Sequence, residues 1–214
     1  MAQDLALKQN NDRYLKYALW LGYFTIGFNI LEGVVSLIFG VADETLTLFG
    51  FGIDSFIEVI SGIGIVTMVV RILRDIESPR TGFERKALRL TGFSFYLLSA
   101  GLLVSAIYNL FSGHKPVSTL AGVIISLVSI ASMWLLVIAK RKVGHTLGSE
   151  PILADANCTL ICVYMSITLL ISSFLFILTG FGFFDILGSL GLIYFAIREG
   201  KEAFEKADNL EQDR

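Results

Sequence analysis

The sequence predicts an all-α membrane protein, a bundle of six transmembrane helices with both termini on the cytoplasmic side. Three observations lead there. Hydrophobic residues make up 54% of the 214-residue chain and charged residues only 17%, against roughly 25% charged residues in a soluble domain. The apolar residues fall into six runs, each near the roughly 20 residues needed to cross a bilayer. Of the 17 lysines and arginines, all but Lys115 lie in segments that such a bundle would place on one side, which the positive-inside rule assigns to the cytoplasm.

Residues 1–16 are polar with mixed charges, and no short apolar core leads to a small-residue cleavage site. They are expected as a cytoplasmic tail rather than a removable signal. The first span, about 17–39, carries Asn29, Glu32, Gly33 and Ser36. Asp43-Glu44 turns into the second, about 46–70, which holds Asp54 and Glu58. A basic loop of about 71–87, with Arg71, Arg74, Arg80, Arg85 and Lys86, is broken by Pro79 and Gly82 and reads as a topology signal. The third span is about 88–111, and Gly113-His114-Lys115-Pro116 turns into the fourth, about 117–139. Lys140-Arg141-Lys142 and a glycine-containing connection lead to the fifth, about 152–178, and Gly180-Phe181-Gly182 to the sixth, about 184–200. Residues 17–200 thus form the expected transmembrane domain and 201–214 a short cytoplasmic tail. Glycines 33, 50, 52, 62, 64, 188 and 191 are expected at close helix contacts.

Asp54 and Glu58 stand four apart, so both carboxylates project from one helix face. An acid in mid-bilayer costs about 2.5–3.5 kcal/mol even on the lenient scale, which marks the pair as functional. No Lys or Arg falls within the core of a predicted span, so no built-in countercharge is expected and the pair reads as a cation site. The fifth span offers a second set: Asp155, Cys158 and Cys162 follow i, i+3, i+7 spacing, and Thr159, Ser166 and Ser173 extend the polar stripe. The two spans enter from opposite sides. At 1.5 Å per residue the acids lie about 12–18 Å below one surface and the cysteines about 9–15 Å below the other, so the pairs can meet near the midplane.

Two carboxylates and two thiols make a tetrahedral set for a divalent metal. Sulfur favours zinc, cadmium or another thiophilic ion over magnesium or calcium. Thiols bind as thiolates, so loading releases protons, a chemical basis for metal-proton exchange. Cysteines one helical turn apart suit a disulfide poorly, and both are read as thiols. Glu32, about 10 Å below the outer surface, is a candidate exit or proton-relay carboxylate, or else is hydrogen-bonded to helix neighbours. Asp155 is a candidate fifth ligand, a support for the ligands, or an acid at the cytoplasmic entrance.

At these residues the chain resembles the membrane domain of the cation diffusion facilitator family. The resemblance is carried by Ile53-Asp54-Ser55-Phe56-Ile57-Glu58, by Pro79 to Ala87 with Gly82, Glu84 and Arg85, by Ala154-Asp155-Ala156, and by Asp185-Ile186 ahead of Arg198-Glu199-Gly200. It implies export of a divalent metal from the cytosol in exchange for protons, by alternating access, usually in a homodimer. In the family the second span supplies Asp or His then Asp, and the fifth His then Asp, each four apart. Those positions fall on Asp54, Glu58, Cys158 and Cys162, with Glu replacing Asp and Cys replacing both His and Asp. Most members continue into a cytoplasmic metal-binding domain, whereas here only about 14 residues follow the sixth span by its expected length. A homodimer is therefore expected to form through membrane helices.

No permanently bound cofactor is expected; zinc or a similar divalent ion is cargo, with protons and the lipid bilayer as the other partners. The chain is expected as a multi-pass integral membrane protein, of the plasma (inner) membrane if bacterial. Two other readings stay open: a non-transporting metal-binding accessory subunit, and a membrane dithiol redox protein using Cys158 and Cys162. No basic aromatic face, nucleotide-binding glycine motif or nucleophile with a base points to nucleic acid or to an enzyme.

Overall fold

In the computed structural model the described residues (2–42, 46–74, 81–112, 120–179 and 183–212) form six α-helices and no strand. They are α1 (Ala2–Ala42), α2 (Leu46–Arg74), α3 (Thr81–Ser112), α4 (Leu120–Leu147), α5 (Glu150–Thr179) and α6 (Phe183–Gln212). Side chains are described chiefly over 11–39, 51–74, 82–108, 123–168 and 190–210. Helix is the only conformation in which a single segment satisfies all its backbone groups in lipid. Among the described residues, five helices are long and apolar enough to cross a bilayer: Asn11–Phe39, Phe51–Arg74, Gly82–Tyr108, Val123–Leu147 and Glu150–Thr168. The side chains at the apolar start of α6, Asp185 included, lie outside the described residues, as does that of Ser173.

The distribution of polarity is inverted relative to a soluble protein. Leu31, Ile38, Phe111 and Leu135 stand exposed, while Thr25, Asn29, Ser61, Thr91, Thr159 and Ser166 are fully buried. An apolar exterior around a polar interior suits a lipid solvent. The chain is an integral, multi-pass membrane protein.

Packing follows from which faces are polar. α1, α2, α5 and α4 contact one another in a closed ring, and α3 pairs with α6 beside it. Thr25, Asn29, Glu32 and Ser36 fall on one face of α1, spaced i, i+4, i+7, i+11, and all are buried. At one end Leu15, Ile72, Ala87, Val143 and Ile152 form a single apolar cluster. Leu88, Ala154 and Ala207 add α6 to that end. The helices therefore alternate in direction, and this end carries nearly all the basic residues; we call it the basic end.

Several predicted boundaries move. Residues 2–16 and 201–212, expected as tails, are helical continuations of α1 and α6, with Leu15, Ala203 and Ala207 buried at the basic end. Arg71 and Arg74 belong to the last turn of α2, and α3 begins at Thr81, so the predicted basic loop is mostly helix. Pro79 lies outside the described residues, as do the turns at Asp43-Glu44, Gly113-His114-Lys115-Pro116 and Gly180-Phe181-Gly182. The largest shift is at Lys140-Arg141-Lys142, which lies inside α4 rather than after it. The connection to α5 shrinks to Gly148 and Ser149. Gly148 takes φ 59°, and Ser149 N–H donates to the Gly144 carbonyl at 3.0 Å, a glycine cap that closes the helix end. Lys, Arg, Glu and Ala favour helix, so the helices run on past the apolar spans where the basic-end cluster rewards them.

Gly33 and Gly52 set the α1–α2 crossing. A Cβ on Gly52 would lie 3.0 Å from the Gly33 carbonyl oxygen and 2.9 Å from Leu37, and one on Gly33 would lie 2.8 Å from Phe56. Gly62 and Gly64 likewise meet Ile26 and Leu90. Among the described residues nothing lies within 4 Å of a Cβ on Gly191, so no close helix contact is seen there. The surroundings of Gly50 and Gly188 lie outside the described residues.

Outside the membrane, Lys206 ties α6 to the start of α5, with Nζ 2.8 Å from Glu150 and 2.9 Å from Glu202. Partial burial works against its ammonium, but the hydrogen bonds it donates to these two carboxylates, with their charge, outweigh it and raise its pKa above the ordinary value.

Candidate metal-cation site

The ring of α1, α2, α4 and α5 encloses a polar core. Its register on α2 is Asp54, Glu58 and Ser61, and on α5 Asp155, Thr159, Cys162 and Ser166, each row falling along one helix face. All of these side chains are buried, with Asp54 at 4% exposure and Glu58 at 0%. The Gly33–Gly52 crossing brings Glu32 against α2, where Ser55 Oγ donates to Glu32 Oε2 at 3.2 Å.

The structure brings the acids of α2 to the cysteines of α5. Cys162 faces both Asp54 and Glu58. Cys158 packs against Ile57, Phe95 and Ile161 at the edge of the same core. Both cysteines are free thiols. Yet among the described residues no group of three or more His, Cys, Asp and Glu side chains stands at metal-ligating spacing. The four predicted ligands are neighbours and do not form a preassembled cage.

A residue expected in the connection after the fourth span enters the same core. Lys140 on α4 is 2% exposed, and its ammonium points into the core. Lys140 Nζ lies 2.8 Å from Asp155 Oδ2 and 3.8 Å from Glu58 Oε1, and it donates to Thr159 Oγ1 at 2.8 Å. Thr159 in turn donates to Glu58 Oε1. Ser61 donates to Asp155 Oδ1 at 2.7 Å and shares a 3.1 Å hydrogen bond with Thr91. The expectation that no Lys or Arg enters the core of a span is therefore wrong: α4 continues as helix past residue 139, and Lys140 falls on its inner face with Met133, Val137 and Val143 while Arg141 and Lys142 face out. That periodicity, read through the basic triplet, is the signal that could have found it.

Asp155 is thus an ion-pair partner with both oxygens engaged, one by Ser61 and one by Lys140. Removing either member of a buried pair leaves an uncompensated charge, at a cost of about 3–5 kcal/mol. The α2 acids are different. Asp54 Oδ1 and Glu58 Oε2 are buried with no hydrogen-bond donor among the described residues, as is Asn29 Oδ1 on α1. Buried oxygens without donors are rare in folded proteins, because the lost solvation is not recovered. On Asp54 and Glu58 these oxygens stand beside the Cys162 thiol.

An apolar helical exterior defines the protein as a membrane bundle built around a buried, acid-bearing polar core. The cation efflux transmembrane domain matches residues 23–207, most of the chain. The protein belongs to this family, and is a metal-cation efflux transporter.

Proposed function

We propose that the protein is a secondary transporter that exports zinc, or a softer divalent ion, from the cytosol in exchange for protons, with Asp54, Glu58, Cys158 and Cys162 as the metal ligands. The observation that carries this reading is the pair of donorless oxygens, Asp54 Oδ1 and Glu58 Oε2, on the acids that Cys162 faces. Carboxylate oxygen with thiolate sulfur is a donor set that zinc and cadmium accept and that magnesium and calcium do not favour. Both thiols must lose a proton to bind, so loading releases protons into the site and unloading takes them back. Glu32, bonded to Ser55 one residue from Asp54, is placed to pass metal or protons between the site and the end opposite the basic one. A second copy would pack through membrane helices, leaving each site within its own protomer.

Inside-out proteoliposomes carrying an internal pH dye test this directly. Zinc or cadmium should accumulate with proton release, and Asp54→Asn should abolish both signals. Reconstituted protein that moves none of zinc, cadmium, manganese, cobalt or ferrous iron would overturn the transport reading.

A further inference from the structure

Among the described residues Lys140 is the one lysine or arginine that is buried, and nothing in metal binding by the four ligands requires it. A buried ammonium beside a metal ligand repels the incoming cation, so its presence has to be reconciled with the site's task. Its three contacts differ in kind. Asp155 Oδ2 at 2.8 Å and Thr159 Oγ1 at 2.8 Å are direct hydrogen bonds, whereas Glu58 Oε1 at 3.8 Å is held at ion-pair range. Thr159 links the two sides, accepting from Lys140 and donating to Glu58. The ammonium therefore restrains one oxygen of Glu58 while the other has no donor. Asp155 does not depend on Glu58 at all: its second oxygen is held by Ser61 at 2.7 Å.

We infer that Lys140 is a tethered cation that holds Glu58 while the site is free of metal and withdraws to Asp155 as the metal loads, and that it thereby sets the site's affinity for its cargo. This rests on the reading of Asp54 and Glu58 as metal ligands. The flexible four-carbon stem and three rotatable donors of lysine allow the ammonium to keep Asp155 while releasing Thr159 and Glu58. Asp155 acts as its parking position, and Ser61 and Thr91 keep that carboxylate in place. Lys140 is then a positioning residue, a resident competitor that holds the acids together between transport cycles and prevents the metal from binding too tightly to leave.

The two members of the pair make opposite predictions. Lys140→Gln removes the competitor, so zinc and cadmium should bind the purified full-length protein more tightly, by about tenfold or more in calorimetry. In proteoliposome uptake the same variant should show a lower KM together with a lower kcat, because release slows. Asp155→Asn removes the parking position, turns the ammonium onto Glu58, and should weaken binding by a comparable factor. Lys140→Arg keeps a tethered cation and should stay near the wild type. If Lys140→Gln does not fold, the Lys140→Gln/Asp155→Asn double variant, which leaves no lone charge, replaces it; it should bind more tightly than Asp155→Asn alone. Weakened or unchanged binding in both single variants, or a double variant no tighter than Asp155→Asn, would make Lys140 a fixed structural brace and overturn the inference while leaving the metal site standing. A wild-type protein that binds none of the metals would instead overturn the reading of the site and the inference with it.

Discussion

The two ends of the polar core handle the same problem differently. Toward the basic end, Asp155 is buried with both oxygens satisfied, by Ser61 and by the Lys140 ammonium. Toward the other end, Asp54 Oδ1, Glu58 Oε2 and Asn29 Oδ1 are also buried and have no donor among the described residues. Burying a carboxylate carries a cost of several kcal/mol unless a partner offsets it. At one end the chain supplies the countercharge from its own sequence. At the other it leaves oxygens without a donor among the described residues, the place proposed for the transported cation. Glu58 stands at the junction, with one oxygen on each side. The contrast separates an ion pair from the proposed transport site within a single cluster of acids.

The strongest way to break this contrast is to neutralise the uncompensated end. Asp54→Asn should cost about 2–5 kcal/mol of metal binding, the range for truncating one partner of a buried charge pair, and uptake should fall to background. The metal-free variant should unfold no earlier than the wild type, because the carboxylate removed is buried with no cationic partner and one oxygen without a donor among the described residues. Early unfolding would mean that Asp54 is already paired in the resting protein. A smaller effect is expected from Glu32→Gln, which keeps a hydrogen bond to Ser55. Metal affinity by calorimetry should be nearly unchanged while turnover drops severalfold; an equal loss of both would move Glu32 into the ligand set. The smallest of the three concerns the scaffold that aligns the ends. Gly52→Ala places a Cβ 3.0 Å from the Gly33 carbonyl and 2.9 Å from Leu37, and such overpacking should destabilise the fold by about 1–3 kcal/mol. Thermal unfolding in detergent, with and without zinc, measures that loss and shows whether metal binding recovers part of it.

Much of this was legible from residues alone. The apolar runs and basic segments specify helices, their order and their alternation, because a chain in lipid has few conformations to choose from. Asp54 and Glu58 announced themselves by being acids in an apolar run, and Gly33 and Gly52 by their place beside them. What escaped was read locally where it needed register. Lys140-Arg141-Lys142 looks like a charged helix end, and for Arg141 and Lys142 that is correct. Lys140 differs only in falling on the face that continues from Met133 and Val137, and composition cannot show that the face still looks inward there. Gly191 differs in the opposite sense, since a glycine in an apolar helix suggests a close contact but none is seen there among the described residues. The segments expected as tails are helical because polar residues beyond a span remain good helix formers, and Leu15, Ala203 and Ala207 give that helix something to bury. The four proposed ligands are expected as neighbours from depth alone; helical periodicity carried through the basic triplet points Lys140 inward, but its partners Asp155 and Glu58 come only from tertiary structure.

The most direct test of the account is zinc X-ray absorption on the metal-loaded protein, compared with Cys158→Ser/Cys162→Ser. The account predicts a mixed shell with sulfur at about 2.3 Å and carboxylate oxygen near 2.0–2.2 Å, and loss of the sulfur shell in the double variant. A shell of oxygen and nitrogen alone, unchanged when both thiols are removed, would contradict it and return the two cysteines to packing residues.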